Sequence, residues 1–149
     1  MPAMSVSVWL KAPALVEEGM AIFSHYINSS SNGFTIFFYK GGLEWFFGTG
    51  SSYTFCYFPE HNVADDKWHL LIGTADASGS KLYVDGSLVK SGSWTGTPGI
   101  PTQTCPLEVA QITREGGVVK NVLNGAIDDI RIYSKVLSAS EIQLLWEDR

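Results

Sequence analysis

Leu123-Asn124-Gly125-Ala126-Ile127-Asp128-Asp129-Ile130-Arg131-Ile132-Tyr133-Ser134-Lys135-Val136-Leu137-Ser138-Ala139-Ser140-Glu141-Ile142 reads as a strand that turns into a capped helix. From Gly125 onward, Ala126, Asp128, Ile130 and Ile132 alternate with Ile127, Asp129, Arg131 and Tyr133, the period of two that a pleated strand imposes. Ser138 stands three residues before Glu141, the spacing of a capping box. Leu137 and Ile142 take the N′ and N4 positions of a hydrophobic staple. One short helix is expected from about Ser138 to Trp146.

Working back from this end, short runs rich in β-branched and aromatic residues follow one another. They are Ser5 to Lys11, Met20 to Tyr26, Phe34 to Tyr39, Leu43 to Phe47, Tyr53 to Phe58, Trp68 to Ala75, Lys81 to Val84, Ser87 to Lys90, Leu107 to Ile112 and Leu123 to Tyr133. Turn residues separate them. Asp85-Gly86 is a strong two-residue hairpin signal, because a type I′ turn needs φ > 0 at both central positions. The stretch from Ser91 to Thr102 has neither period and is expected to be a long loop carrying one aromatic, Trp94. A second loop is expected at Arg114-Glu115-Gly116-Gly117. About ten short strands followed by one helix predict two packed antiparallel sheets, with a barrel or an immunoglobulin-like sandwich as competitors on pattern alone.

The closing stretch resembles the last motif of laminin-G-like jelly-roll domains, members of the concanavalin-A-like lectin and glucanase superfamily. Asp66-Lys67-Trp68-His69-Leu70-Leu71-Ile72-Gly73-Thr74-Ala75-Asp76, followed by Ser80-Lys81-Leu82-Tyr83-Val84-Asp85-Gly86, is similar to that family's central block. Ser5-Val6-Ser7-Val8-Trp9-Leu10-Lys11 is similar to its first full sandwich strand. The resemblance implies an all-β, two-sheet antiparallel jelly roll with one short C-terminal helix. It also implies a departure: family members usually begin with an aspartate-rich segment and an edge strand beside the C-terminal strand, and this chain starts almost directly at the following strand. An uncovered edge offers unpaired backbone groups, so self-association through it is expected.

Composition bounds the rest. The chain has 149 residues, enough for one domain over 1–149 that buries about two thirds of its unfolded surface. A net charge of −5 lacks the basic footprint of a nucleic-acid binder. No apolar run reaches the roughly 20 residues of a membrane span, and the start shows no export signal, whereas the resemblance implies a secreted or cell-surface setting. Cys56 and Cys105 form no metal spacing with His25, His61 or His69, and read as buried thiols or as a disulfide pair. Asn28-Ser29-Ser30 fits a glycosylation sequon.

Catalysis finds little footing. A retaining glycosidase needs two carboxyl groups about 5 Å apart on one face. Here Glu44 is alone in its strand, Glu17-Glu18 sit beside a loop glycine, and Asp128-Asp129 are adjacent and point oppositely. The resemblance makes Asp128 the candidate for a structural calcium ion, but Ca²⁺ takes six to eight oxygens and the family's other ligands lie in the missing block, so a hydrogen-bonded structural aspartate is the alternative. Asp129 is expected to be solvated or paired with Arg131.

The aromatics are the remaining clue: eight Phe, six Tyr and five Trp. In the segments from Phe34 to Phe58 they occupy both faces, although a sandwich strand needs only one apolar face. Phe34, Ile36, Phe38, Leu43, Trp45 and Phe47 are expected in the core. Thr35, Phe37, Tyr39, Glu44 and Phe46 then form an exposed patch suited to carbohydrate, since rings stack on sugar C–H faces while polar neighbours bond hydroxyls. Loops or a second copy could cover it instead. Trp94 either plugs the core or joins a site, while Trp9, Trp68 and Trp146 are packing residues and His69 a satisfied polar neighbour. The reading is a non-catalytic binding module with ligand residues Phe37, Tyr39, Glu44, Phe46 and Trp94. A self-associating protein-binding domain is the main competitor, and a glycoside hydrolase the third option.

Overall fold

The computed structural model describes residues 3–14, 19–27, 30–59, 63–114, 118–120 and 122–149. Among these residues twelve strands and one helix follow in chain order: β1 (Met4–Lys11), β2 (Ala21–Ile27), β3 (Asn32–Tyr39), β4 (Gly42–Thr49), β5 (Tyr53–Phe58), β6 (Trp68–Asp76), β7 (Gly79–Val84), β8 (Ser87–Gly92), β9 (Glu108–Val109), β10 (Ile112–Arg114), β11 (Val118–Lys120), β12 (Ala126–Tyr133) and α1 (Ala139–Glu147). One five-stranded antiparallel sheet has the order β12-β1-β6-β7-β8, and the other β5-β4-β3-β2-β9. The short β10-β11 ladder stands apart. This is the expected jelly-roll sandwich, with the expected segment Leu107 to Ile112 broken in two where Ala110 takes φ 60°. Of the loop expected between the last strands, residues 115–117 lie outside the described residues, as do Glu17, Glu18, Asn28 and Ser29.

The sheets meet through one large contact. Trp45 of β4, completely buried, lays its indole against Gly73 of β6 and donates its Nε1–H to the Thr74 carbonyl at 2.9 Å. A Cβ at Gly73 would stand 2.4 Å from the indole, so glycine is required by close approach rather than by backbone angle. Around this contact Val6, Val8, Leu10, Leu71 and Leu82 of one sheet face Phe23, Ile36, Phe38, Leu43 and Phe47 of the other. All six residues assigned to the core from the sequence lie in it or pack against it.

β1 is buried along both faces, despite alternating apolar residues with Ser5, Ser7 and Trp9. The reason is α1, which lies on the outer side of its sheet. Ile142 and Leu137 sink into a second cluster with Trp9, Leu70 and Ile72, and Trp146 stacks on Trp9 with ring centroids 5.5 Å apart. Ser138 and Glu141 form the capping box, so α1 begins where the sequence placed it. Ser5 ties this layer down: its hydroxyl donates to the Lys135 carbonyl at 2.8 Å and accepts the Leu137 N–H at 2.9 Å.

β12 departs from the strict alternation read in the sequence. Its ladder with β1 runs Ser7↔Arg131 and then Trp9↔Asp128, a bulge in which Asp129 adopts φ 49°. The extra residue turns Ile127 and Ile130, three apart, onto the same core. β12 is the terminal strand of its sheet; among the described residues only β1 pairs with it.

Candidate functional site

Three strands set the register of the outer face of the second sheet. Glu44 of β4 pairs with Phe37 of β3 on one side and Tyr57 of β5 on the other, and Phe46 pairs likewise with Thr35 and Phe55. Side chains two apart share a face, so Phe37, Tyr39, Glu44, Phe46, Tyr53, Phe55 and Tyr57 all project away from the core. Their rings touch in two short chains, Phe37-Tyr39-Tyr57 and Phe46-Tyr53-Phe55. Phe37 lies 5.9 Å from Tyr39, Tyr39 meets Tyr57 edge-on at 5.8 Å, and Tyr53 lies 6.2 Å from Phe55.

Of the residues named from the sequence, Phe37, Tyr39 and Glu44 are half-buried members of this face. Phe46 is not exposed as expected: Tyr26 at 4.9 Å and Tyr53 at 5.8 Å close over it and leave it 8% accessible, so it forms the floor of the patch. Tyr53, Phe55 and Tyr57 of the neighbouring strand belong to the same face. Their own alternation, Tyr53-Phe55-Tyr57 against Thr54-Cys56-Phe58, carried that signal. Trp94 lies elsewhere. Its Nε1–H donates to the Asp76 carbonyl at 2.7 Å and its ring packs edge-on against Phe47 at 5.8 Å, on the core side of the sheet, so it is the plug of the two readings.

Glu44 is the one acid on the outer face of β3, β4 and β5; Glu108 of β9, in register with Ser24 and Thr35, is engaged by Gln111 and Thr113. No hydrogen bond or ion pair to its carboxylate occurs among the described residues. Burial among the rings pushes its pKa up to about 7, against a smaller downward pull from the Lys40 ammonium. Lys40 itself stands over the Tyr39 ring, 5.1 Å from its centroid. The Tyr57 hydroxyl donates to the Lys40 carbonyl at 3.1 Å.

The other polar clusters are structural. His69 places Nδ1 2.7 Å from Asp85 and Nε2 2.9 Å from Asp65. Carboxylates only accept, so both ring nitrogens carry protons. Burial of the ring opposes its charging, but the hydrogen bonds and charges of Asp85 and Asp65 outweigh this and raise its pKa. Asp85 also takes the Leu70 N–H and occupies, with Gly86, the predicted left-handed turn at φ 51° and 80°. A raised histidine pKa gives stability that is complete below the unfolded value of about 6.5 and is lost as pH climbs through the folded value. The melting temperature of the protein should therefore fall relative to that of His69→Gln as pH is taken from 6 to 9. Parallel curves would show that the ring is neutral.

Asp128, the calcium candidate, gives one oxygen to Arg149 at 3.0 Å and the other to the Asp129 N–H at 2.8 Å. Asp129 pairs with Arg131 at 2.7 Å, as expected. Among the described residues no group of three or more His, Cys, Asp or Glu is placed to hold a metal ion. One carboxylate already engaged by a guanidinium does not by itself fit Ca²⁺. Cys56 and Cys105 are free. Cys56 is in β5 and Cys105 approaches His25 of β2, three strand spacings or roughly 14 Å away across the sheet, well beyond disulfide reach. Burial pushes the Cys56 thiol up to about 11, so it is unreactive. No helix among the described residues is long and apolar enough to cross a membrane.

An open groove of about 600 Å³ lies between β12 and α1, lined by Tyr133, Leu137, Leu144 and Leu145 with Arg131 and Glu141 at its rim. Its lining is mostly apolar, and the half-buried acid at its rim, Glu141, is already engaged by Lys135 and the Ser138 N–H.

The fold invites comparison with known proteins. No curated protein matches the chain. Among solved structures, the binding domain of Paraclostridial Mosquitocidal Protein 1 superposes with a TM-score of 0.73 at 17% identity, over 99% of this chain and 37% of that one. The receptor binding domain of botulinum neurotoxin C/D mosaic serotype gives 0.72 at 19%, over 99% and 36%. The binding domain of botulinum neurotoxin serotype D/C VPI 5993 gives 0.70 at 22%, again over 99% and 36%. The chain thus spans little more than a third of the length of these structures, and identities this low speak for the fold alone. A laminin-G family model described as the concanavalin A-like lectin/glucanases superfamily matches residues 2–143. With nearly the whole chain inside that match and the two-sheet order in place, the chain belongs to the concanavalin A-like lectin/glucanases superfamily.

Proposed function

We propose that the protein is a non-catalytic binding module that takes carbohydrate on the outer face of the β5-β4-β3 sheet. The observation that supports this most is the group of rings Phe37, Tyr39, Tyr57 and Phe55, the last 44% exposed, set around a carboxylate that has no partner among the described residues. Flat rings supply stacking faces for pyranose C–H groups, and Glu44 with the tyrosine hydroxyls supplies acceptors and donors. A second acid at glycosidase spacing is absent from this face among the described residues, which favours binding over hydrolysis. The comparison structures named above are binding domains and fit the same reading.

Glycan-array screening followed by titration of the best ligand tests it. Phe37→Ser and Tyr57→Ser should each weaken binding by about tenfold, the worth of one lost stacking contact, without lowering the melting temperature by more than a few degrees. Phe46→Ser is a poor test because it removes the floor.

Self-association is the second reading, and one observation favours it: beside the edge of β12 that no described strand pairs, Ile132 is 48% and Leu144 64% exposed. Sedimentation equilibrium separates the two. A dimer broken by Ile132→Lys, in a protein that binds no glycan, would replace the carbohydrate reading.

A further inference from the structure

We propose that Phe37, Tyr39, Glu44 and Tyr57 form a subsite for a protonated amine carried on a sugar ring, so that the ligand class is an amino sugar. This rests on the carbohydrate reading above and narrows it.

Three features of the face converge on a cation. Glu44 sits in mid-sheet between Phe37 and Tyr57, and no hydrogen bond or ion pair reaches its carboxylate from the described residues. A ligand covering the patch would strip the remaining water from that carboxylate, which is costly unless the ligand brings a charged donor. The surrounding rings present electron-rich faces, and such faces attract ammonium groups. The protein already demonstrates that preference: the Lys40 ammonium stands over Tyr39, and its charge acts on Glu44. Lys40 is a tethered stand-in for the amine of a ligand. It sits in the β3–β4 turn at φ 47°, followed by Gly41 at φ 77°, so its side chain can swing away without disturbing the ladder.

Neutral sugars can stack on the same rings and bond Glu44 in either protonation state. An ammonium ligand differs because it requires the ionised carboxylate. Glu44 titrates near neutrality, and Lys40, Cys56, Tyr26, Tyr39, Tyr53 and Tyr57 are the ionisable side chains around it. Affinity for an amino sugar should then fall as pH drops below about 7, while affinity for a neutral sugar changes little.

Calorimetric titration of the intact chain with β-1,4-linked tetramers of glucosamine, N-acetylglucosamine and glucose at pH 7 tests the inference. The glucosamine tetramer should bind about tenfold tighter than the other two, the scale of one cation–carboxylate and ring contact. Glu44→Gln should erase that margin and retain the stacking affinity common to all three. Lys40→Asn, which keeps a residue suited to positive φ, should widen the margin by removing the internal competitor. Far-ultraviolet spectra and melting curves check that both variants fold. Equal affinity for the three tetramers overturns the amine subsite and leaves the carbohydrate reading standing. A margin that survives Glu44→Gln belongs to the net charge of −5 and overturns it too. Failure of every sugar, here and on the array, takes down both.

Discussion

Gly73→Ala should cost about 3 kcal/mol and Gly73→Val more, enough in a domain whose total stability is of order 5–15 kcal/mol to leave the valine variant largely unfolded. The added Cβ would fall 2.4 Å from the Trp45 indole, and that ring cannot retreat. It is fully buried, it is hydrogen bonded to Thr74, and Phe23, Phe34 and Phe47 stand around it with ring centroids 6.4–6.5 Å away, Phe23 and Phe34 being 5.9 Å from one another. Truncating the ring instead, Trp45→Ala, should cost about 3–5 kcal/mol by the loss of buried surface and the cavity left behind. The two sites share one contact, so their effects should not add: in a Trp45→Phe background, Gly73→Ala should be milder than in the wild type. Urea denaturation monitored by far-ultraviolet circular dichroism gives all four values. A Gly73→Ala variant within 0.5 kcal/mol of wild type, on the scale expected of neutral surface changes, would mean that the sheets are not spaced by this contact.

Trp9→Ala carries the next largest expectation, about 3 kcal/mol or more, and a different signature. Trp9 lies on the far side of its sheet from the sandwich interior, stacked on Trp146 and with the Arg149 guanidinium 4.5 Å from its ring centroid. That guanidinium also stands 4.4 Å from the Trp68 ring. Removing Trp9 takes away the platform on which α1 rests, so the helix amides should lose protection against hydrogen exchange before those of β3 and β4. Uniform loss of protection across both sheets and the helix would instead mark the two apolar clusters as one cooperative unit. Ile142→Ala, on the helix side of the same contact, should reproduce the pattern.

These layers were unequally legible in the sequence. The capping box at Ser138 and the turn at Asp85-Gly86 depend on a few neighbouring residues, and local chemistry suffices to place them. The core face of β3 and β4 followed from alternation. The bulge at Asp129 did not, because aspartate tolerates positive φ but does not announce it; only the ladder with β1 shows that Ile127 and Ile130 share a side. The double-sided burial of β1 was hidden for a related reason: Ser5 and Ser7 look like solvent-facing residues until the last segment of the chain is laid over them. Phe37, Tyr39 and Glu44 lie on the outer face to which the period alone assigned them. Phe46 was not, since its cover comes from Tyr26 and Tyr53 on other strands.

The position of β1 between β6 and β12 has a consequence for how the protein is made. β1 is made well before β12, and the 114 residues between Lys11 and Ala126 must be closed into a loop before that pairing gives any return. Sheet closure is therefore a late, non-local event, of the kind that makes all-β domains slow to reach the native state. Nascent chains arrested before Ala126 would hold Val6, Val8 and Leu10 beside an open ladder, and it is there, during synthesis, that a chaperone would find the most to shield.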